Sequence, residues 1–168
     1  MSNVQLQKVL QSSSLHSLLL VTTRALSRSG FGDVQVLDRR DTRQKSRHGG
    51  HELLCSFTLG QFPMRVIVKV INDSVRLRML DELAGAVIRT GSDFGIIVSP
   101  HQLTASAAKY QASYKVARVE VIDGPALTST LVRLGVGVQA DGRIDHVFFA
   151  NLERLGRKAR AFIEKEMR

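Results

Sequence analysis

Residues 64–70 of this chain form an apolar stretch that is interrupted by a charged residue at Arg65 and again at Lys69. If this stretch is a strand, Met64, Val66, Val68 and Val70 share one face, and Arg65, Ile67 and Lys69 share the other. A second strand precedes it, introduced by Gly49-Gly50 and running from His51. A turn centred on Gln61-Phe62 would join the two as a β-hairpin. In that register Lys69 lies opposite Leu54 and diagonal to Glu52, about 7–8 Å away at the backbone.

Leucine and alanine recur at spacings of three and four residues in further stretches, which predicts amphipathic helices. Residues suited to helix N-termini precede these stretches, at Ser12–Ser14, Asn72–Ser74, Thr104 and Gly124-Pro125. The tail Val147–Arg168 reads as one more helix.

Short strands are predicted at Val34–Leu37, Phe94–Ser99 and Val116–Ile122. The unbroken apolar run 94–99 is typical of a strand that is covered on both faces. Strands that alternate with helices in this order predict an α/β fold, with a central mixed sheet flanked by helices.

The net charge of the chain indicates what kind of partner it binds. The chain has 24 basic and 15 acidic residues, a net charge of +9, which favours a polyanion such as nucleic acid. The alternative is that the charge only keeps the protein soluble. Cys55 is the one cysteine, so no intramolecular disulfide can form and a reducing compartment, the cytoplasm, is favoured.

The composition also bears on targeting and on membrane insertion. No apolar run approaches the roughly 20 residues of a spanning helix, so no membrane partner is expected. Residues 1–32 contain no Asp or Glu and carry Lys8, Arg24 and Arg28 among several serines. This composition is also that of an organellar, mitochondrial-type transit peptide, although the same residues are needed for the first helix.

The segment just before Glu52 is strongly basic and lacks apolar residues. Its five basic side chains are Arg39, Arg40, Arg43, Lys45 and Arg47. We expect them to contact phosphates without reading sequence; the alternative is a solvated charged loop. His48 and His51 flank the glycines and could act as metal ligands or as a base, or be solvated.

Six short segments, taken in order, resemble the Mrr-type domain of restriction-endonuclease-like proteins in the PD-(D/E)xK nuclease superfamily. They are Gly49–Leu53, Val66–Lys69, Leu80–Ala86, Asp93–Val98, Leu103–Ala108 and Val121–Leu127. The resemblance spans residues 15–138, which leaves 1–14 as an N-terminal extension and 139–168 as a basic, helical C-terminal extension. It implies a restriction-endonuclease-like sheet and a DNA partner.

The resemblance also implies a catalytic pair. Glu52 stands where the family has an acid that binds Mg²⁺, and Lys69 matches the lysine that orients the attacking water or offsets charge on the phosphate. Ile67 replaces the Gln, Glu or Asp usual two residues before that lysine, and His16 replaces an acid often found in the first helix. The alternatives are a polar residue at a strand entrance for Glu52 and a lysine that reaches solvent for Lys69.

Two functions follow from these residues. The first is a DNA-binding protein on a nuclease fold whose catalytic site has degenerated, as a subunit of a nucleoprotein assembly. The second is an active endonuclease that uses Glu52, Lys69 and Mg²⁺ to cleave DNA. RNA in place of DNA, and a homodimer or larger complex, stay open.

Overall fold

The computed structural model describes residues 3–37, 50–113, 118–158 and 161–163. Five strands form one sheet in the order β1 (Gly32–Leu37), β2 (His51–Leu59), β3 (Phe62–Val70), β4 (Phe94–Val98) and β5 (Val119–Ile122). The first three strands pair antiparallel, and β3, β4 and β5 pair parallel. The predicted mixed sheet flanked by helices is confirmed.

Helices cover both faces of this sheet. They are α1 (Asn3–Ser12), α2 (Leu15–Arg28), α3 (Leu77–Thr90), α4 (Ala105–Ser113), α5 (Gly124–Leu134) and α6 (His146–Leu155). Helices α3 and α4 pack on one face, and α1, α2, α5 and α6 supply the core on the other. In the part of the chain that the structure describes, no helix has the length and apolar character needed to cross a membrane.

Strand β3 is the centre of the fold because it contributes to both cores. Val66, Val68 and Val70 belong to the larger core with α2 and α5, whereas Ile67 packs in the smaller core under α3. The alternation over 64–70 therefore predicted both faces correctly. Lys69 lies within the same strand at 1% exposure, and it is the one charged side chain in the buried set of the described residues.

The hairpin register differs from the prediction. Leu59 pairs with Phe62, so the turn is Gly60-Gln61 and Lys69 lies directly opposite Glu52. The left-handed backbone of Gly60, at φ 62°, explains the difference, because glycine enters this conformation without a steric penalty. The register moves by two residues, which leaves each side chain on its predicted face. The shared face of Glu52 and Lys69 is thus confirmed, but the diagonal spacing was wrong.

Two helix starts show how tertiary contacts decide capping. The predicted hydroxyl cap of α2 is confirmed, since the Ser14 Oγ accepts a hydrogen bond from the Ser17 N–H at 3.2 Å. The predicted cap of α3 at Asn72–Ser74 is wrong. Val75 bridges Leu103 and keeps the chain extended, so α3 begins only at Leu77 and has no side-chain cap.

The C-terminal tail is not the single helix predicted for Val147–Arg168. Helix α6 begins at His146, where the Asp145 carboxylate accepts from the Phe148 N–H, and it ends at Leu155. Gly156 then takes a positive φ of 41° and starts a short 3-10 turn. A glycine at this position ends the helix because it enters conformations closed to other residues.

The packing of α1 was not apparent from sequence. Leu6 and Leu10 are fully buried in the core that also holds Phe149 and Leu152 of α6. The division of the chain into 1–14, 15–138 and 139–168 stays a prediction. Side chains from all three segments meet in this one core.

Replacing Leu10 by alanine should therefore lower the free energy of unfolding by about 2–5 kcal/mol, because it leaves a cavity in a closed core. Urea unfolding followed by circular dichroism measures the change. Val4→Ala on the same helix is the control: Val4 is 60% exposed, and its truncation should cost no more than about 0.5 kcal/mol. Equal effects of the two variants would show that α1 is not part of the cooperative fold.

Candidate functional site

Glu52 and Lys69 meet at one end of the sheet. They are direct cross-strand partners in β2 and β3, and Leu37 pairs with Glu52 from the other side. Side chains opposite one another in this way have Cβ atoms about 4.5–5.5 Å apart. The parallel strands β3, β4 and β5 all end here, and in open α/β sheets ligands bind at the carboxyl ends of the strands.

Lys69 is held by an acid from α3. Its Nζ lies 2.9 Å from the Glu82 Oε2, and the other carboxylate oxygen of Glu82 is 3.4 Å from the Arg78 Nε. The Lys69 side chain is 2% exposed and that of Glu82 is 26% exposed. Burying an ammonium group is unfavourable unless it is paired and hydrogen-bonded, and Glu82 meets this requirement.

Sequence reasoning gave Glu82 no role, although a signal for it exists. Glu82 follows Met79 by three residues and precedes Ala86 by four, so all three lie along one stripe of α3. Met79 and Ala86 are buried. An acid on a buried helical stripe, in a chain with a lysine inside a buried strand, indicates that the two groups pair.

Ile67 occupies the strand position two residues before Lys69, where the resemblance implies a polar ligand. It is fully buried, pairs with Leu54 and packs in the core beneath α3. The side chain offers no oxygen or nitrogen atom. This wall of the site is therefore apolar.

Gly50 positions the start of β2 at the site. A Cβ atom at Gly50 would lie 2.8 Å from the Val70 carbonyl oxygen and 2.9 Å from the Ile71 Cγ2, and the residue has a φ of 111°. Only glycine allows β2 to approach the end of β3 this closely. Gly50 thus helps to place Glu52 opposite Lys69.

The histidine near the glycines lies on the other face of the sheet. His51 alternates with Glu52, and its ring packs on that of His16, with ring centroids 5.2 Å apart and 59° between planes. Close by, the Glu153 carboxylate accepts a hydrogen bond from the Ser14 N–H at 2.9 Å. Burial acts to raise the pKa of Glu153, but hydrogen bonds from Ser17 and Ser14 outweigh it and keep the pKa below its usual value. His16 and His51 thus form a contact separate from the Lys69 pair.

The basic segment falls outside the described residues. This applies to Arg39, Arg40, Arg43, Lys45 and Arg47, and also to Asp38 and His48. Their predicted roles stay predictions. The residues that flank the segment are described: Leu37 pairs with Glu52, and Gly50 lies against the end of β3. The segment therefore leaves and rejoins the sheet beside the candidate site.

Asp33 and Cys55 lie away from the site. The Asp33 carboxylate accepts a 2.6 Å hydrogen bond from the Ser56 hydroxyl, four residues along β2 from Glu52. Cys55 is buried, as expected of a small apolar residue, and burial raises the pKa of its thiol from 9.0 to about 12. Neither residue contributes a group to the pair formed by Glu52 and Lys69.

The order of strands, the two helical layers and the position of Glu52 and Lys69 define a restriction-endonuclease-like fold. Residues 10–131 match a family model described as restriction endonuclease, the Mrr catalytic-domain family. The chain belongs to this family, and the resemblance drawn from its sequence segments is confirmed. No curated protein matches the chain in sequence.

Solved structures agree with this assignment. The DNA modification-dependent restriction endonuclease AspBHI superposes with a TM-score of 0.60 at 11% identity, over 93% of this chain and 40% of its own. The MspJI restriction endonuclease in complex with a 27-mer oligonucleotide gives a TM-score of 0.54 at 15% identity, over 98% of this chain and 35% of its own. The chain thus spans less than half the length of either protein, and the likeness is one of fold.

Nucleases of this family typically depend on a divalent metal ion. Mg²⁺ requires close to six oxygen ligands in octahedral geometry. Here Ile67 supplies none, and both oxygens of Glu82 already face cations, Lys69 and Arg78. Among the described residues no group of three or more His, Cys, Asp or Glu side chains could hold a metal ion. The donor set that the described residues provide around Glu52 does not fit Mg²⁺.

Proposed function

We propose that this chain is a DNA-binding protein built on an Mrr-type nuclease fold whose catalytic site has degenerated. The observation that carries the proposal is the fully buried Ile67, which stands beside Lys69 where a metal-binding side chain would be needed. An isoleucine packed under a helix cannot bind a metal ion or activate water.

The environment of Lys69 supports the same proposal. Its ammonium group is turned toward Glu82 in the interior of the α3 layer. A lysine that stabilises charge on a phosphate has to reach that phosphate at the surface. With 2% of its side chain exposed, Lys69 would stabilise the fold instead of contacting a phosphate.

DNA is the favoured partner because of charge and family. The net charge of +9 suits a polyanion, and one of the similar structures is a complex with an oligonucleotide. The five basic residues lie in sequence between Leu37 and Gly50, which both flank the site, and would supply phosphate contacts. RNA in place of DNA, and assembly into a homodimer or a larger nucleoprotein complex, are the other forms this proposal takes.

An active Mg²⁺-dependent endonuclease is the second candidate. The observation that favours it is the direct cross-strand pairing of Glu52 and Lys69 on one face. In this case Glu52 would bind the metal, and Lys69 would have to exchange Glu82 for the attacking water or the phosphate.

One experiment separates the two candidates. Supercoiled plasmid is incubated with the protein and Mg²⁺ or Mn²⁺, and binding of a labelled duplex is measured by gel shift in parallel. We expect duplex binding, and no nicking above that seen with the Lys69→Met and Glu52→Gln variants. Nicking that disappears in both variants would instead establish the endonuclease, and the absence of binding to duplex DNA would reject the proposal.

A further inference from the structure

Each carboxylate oxygen of Glu82 contacts a cationic side chain at this site. Lys69 lies 2.9 Å from Oε2, and Arg78 lies 3.4 Å from Oε1. With Glu52 opposite Lys69, the four groups comprise two carboxylates and two cations. The formal charges of these four described groups sum to zero without a metal ion.

Lys69 is fixed in this arrangement by burial. The residue is 1% exposed, and Ile67 and Ile97 on the same face are completely buried. An ammonium group in such surroundings cannot turn to water without losing its paired acid. A divalent cation bound between Glu52 and Glu82 would have to share this space with the Lys69 charge.

We propose that the Lys69 ammonium takes the place of the divalent cation in this chain, so that the sheet end is assembled, and binds DNA, without metal. This inference rests on the proposed DNA-binding function. Lys69 and Glu82 are positioning residues in this inference, because their ion pair joins β3 to α3 at the sheet end. Glu52 lies at the same sheet end, as do Leu37 and Gly50, which flank the basic segment.

The first test is the response of the protein alone to metal. Its melting temperature is measured in EDTA and in 5 mM Mg²⁺ or Mn²⁺ at matched ionic strength. We expect no shift beyond about 1 °C, since a ligand stabilises only the state that binds it. A rise of several degrees that Glu52→Gln abolishes would overturn the inference.

A variant that lacks the Lys69 charge should gain the response to metal that wild type lacks. Lys69→Met removes the internal cation and keeps the length of the side chain, so Glu82 loses its 2.9 Å partner and Glu52 loses the charge on the strand position opposite it. We expect this variant to gain a Mn²⁺-dependent rise in melting temperature that wild type lacks. Arg65→Met, an exposed position at the other end of β3, is the matched control and should gain none.

The second test uses DNA. Anisotropy of a labelled duplex is titrated in EDTA and in Mg²⁺, again at matched ionic strength. We expect dissociation constants within about twofold of each other. Binding that appears only with metal would overturn the inference, although DNA binding itself would stand. Failure to bind in both buffers would reject the proposed function, and the melting experiment would still decide the inference about Lys69.

Discussion

Changing Arg39, Arg40 and Arg43 together to glutamine is expected to lower the salt dependence of duplex binding by up to about 3 units of slope. Each phosphate that a protein neutralises on duplex DNA contributes about 0.9 to the slope of log affinity against log salt. The three arginines lie in the sequence between Leu37 and Gly50. Leu37 pairs with Glu52, and Gly50 lies against the end of β3. Fluorescence anisotropy at four or more salt concentrations measures the slope.

The control for this prediction is a second triple variant with the same change in charge. Arg65, Arg89 and Arg118 are exposed and lie at the other end of the sheet, near the start of β4 and β5. Each triple lowers the net charge of +9 by three. A smaller slope in the first triple alone would locate the phosphate contacts in the basic segment. Equal slopes in wild type and both triples would show that the segment is merely solvated.

Replacing Glu82 by alanine is expected to lower the free energy of unfolding by about 3 kcal/mol or more. The change removes the acid that the buried Lys69 ammonium contacts at 2.9 Å, and breaking one side of a buried ion pair typically costs about 3–5 kcal/mol. The 26% exposure of Glu82 favours the lower end of this range. Chemical unfolding at neutral pH measures it.

Two comparisons isolate the buried pair. Arg78, the other partner of Glu82, has a side chain that is 57% exposed, so Arg78→Ala should cost only about 0–1 kcal/mol. The double variant Lys69→Met, Glu82→Leu should be as stable as wild type, or more stable by about 1–4 kcal/mol, because apolar residues often replace a buried ion pair without loss. A double variant as unstable as Glu82→Ala would contradict this account of the pair.

These outcomes bear on function as well as on stability. If the double variant folds and binds DNA as wild type does, then Lys69 contributes to the architecture of the sheet end and not to contact with DNA. If it folds but no longer binds DNA, the Lys69 charge acts on the ligand, which favours the endonuclease reading of the site.

Sequence patterns alone showed which residues of the central strand share a face. Side chains of a strand point to opposite faces in turn, so Val66 and Val68 were assigned to one face and Ile67 and Lys69 to the other. The two cores contain Val66 and Val68 on one side and Ile67 on the other. The two glycines before His51 predicted where β2 begins. The ordered segments predicted the family, since each combines a strand or helix pattern with its own spacing.

The register of the β2–β3 hairpin and the partners of its buried side chains depend on the tertiary packing. Strand alternation is unchanged by a shift of two residues, so sequence placed Lys69 opposite Leu54, whereas the Gly60-Gln61 turn places it opposite Glu52. The pairing of Lys69 with Glu82 depends on how α3 packs on β3. The burial of Leu6 and Leu10 likewise depends on where α1 docks. Local patterns fix the face that a residue presents, but the opposing element is chosen by the packing of the whole chain.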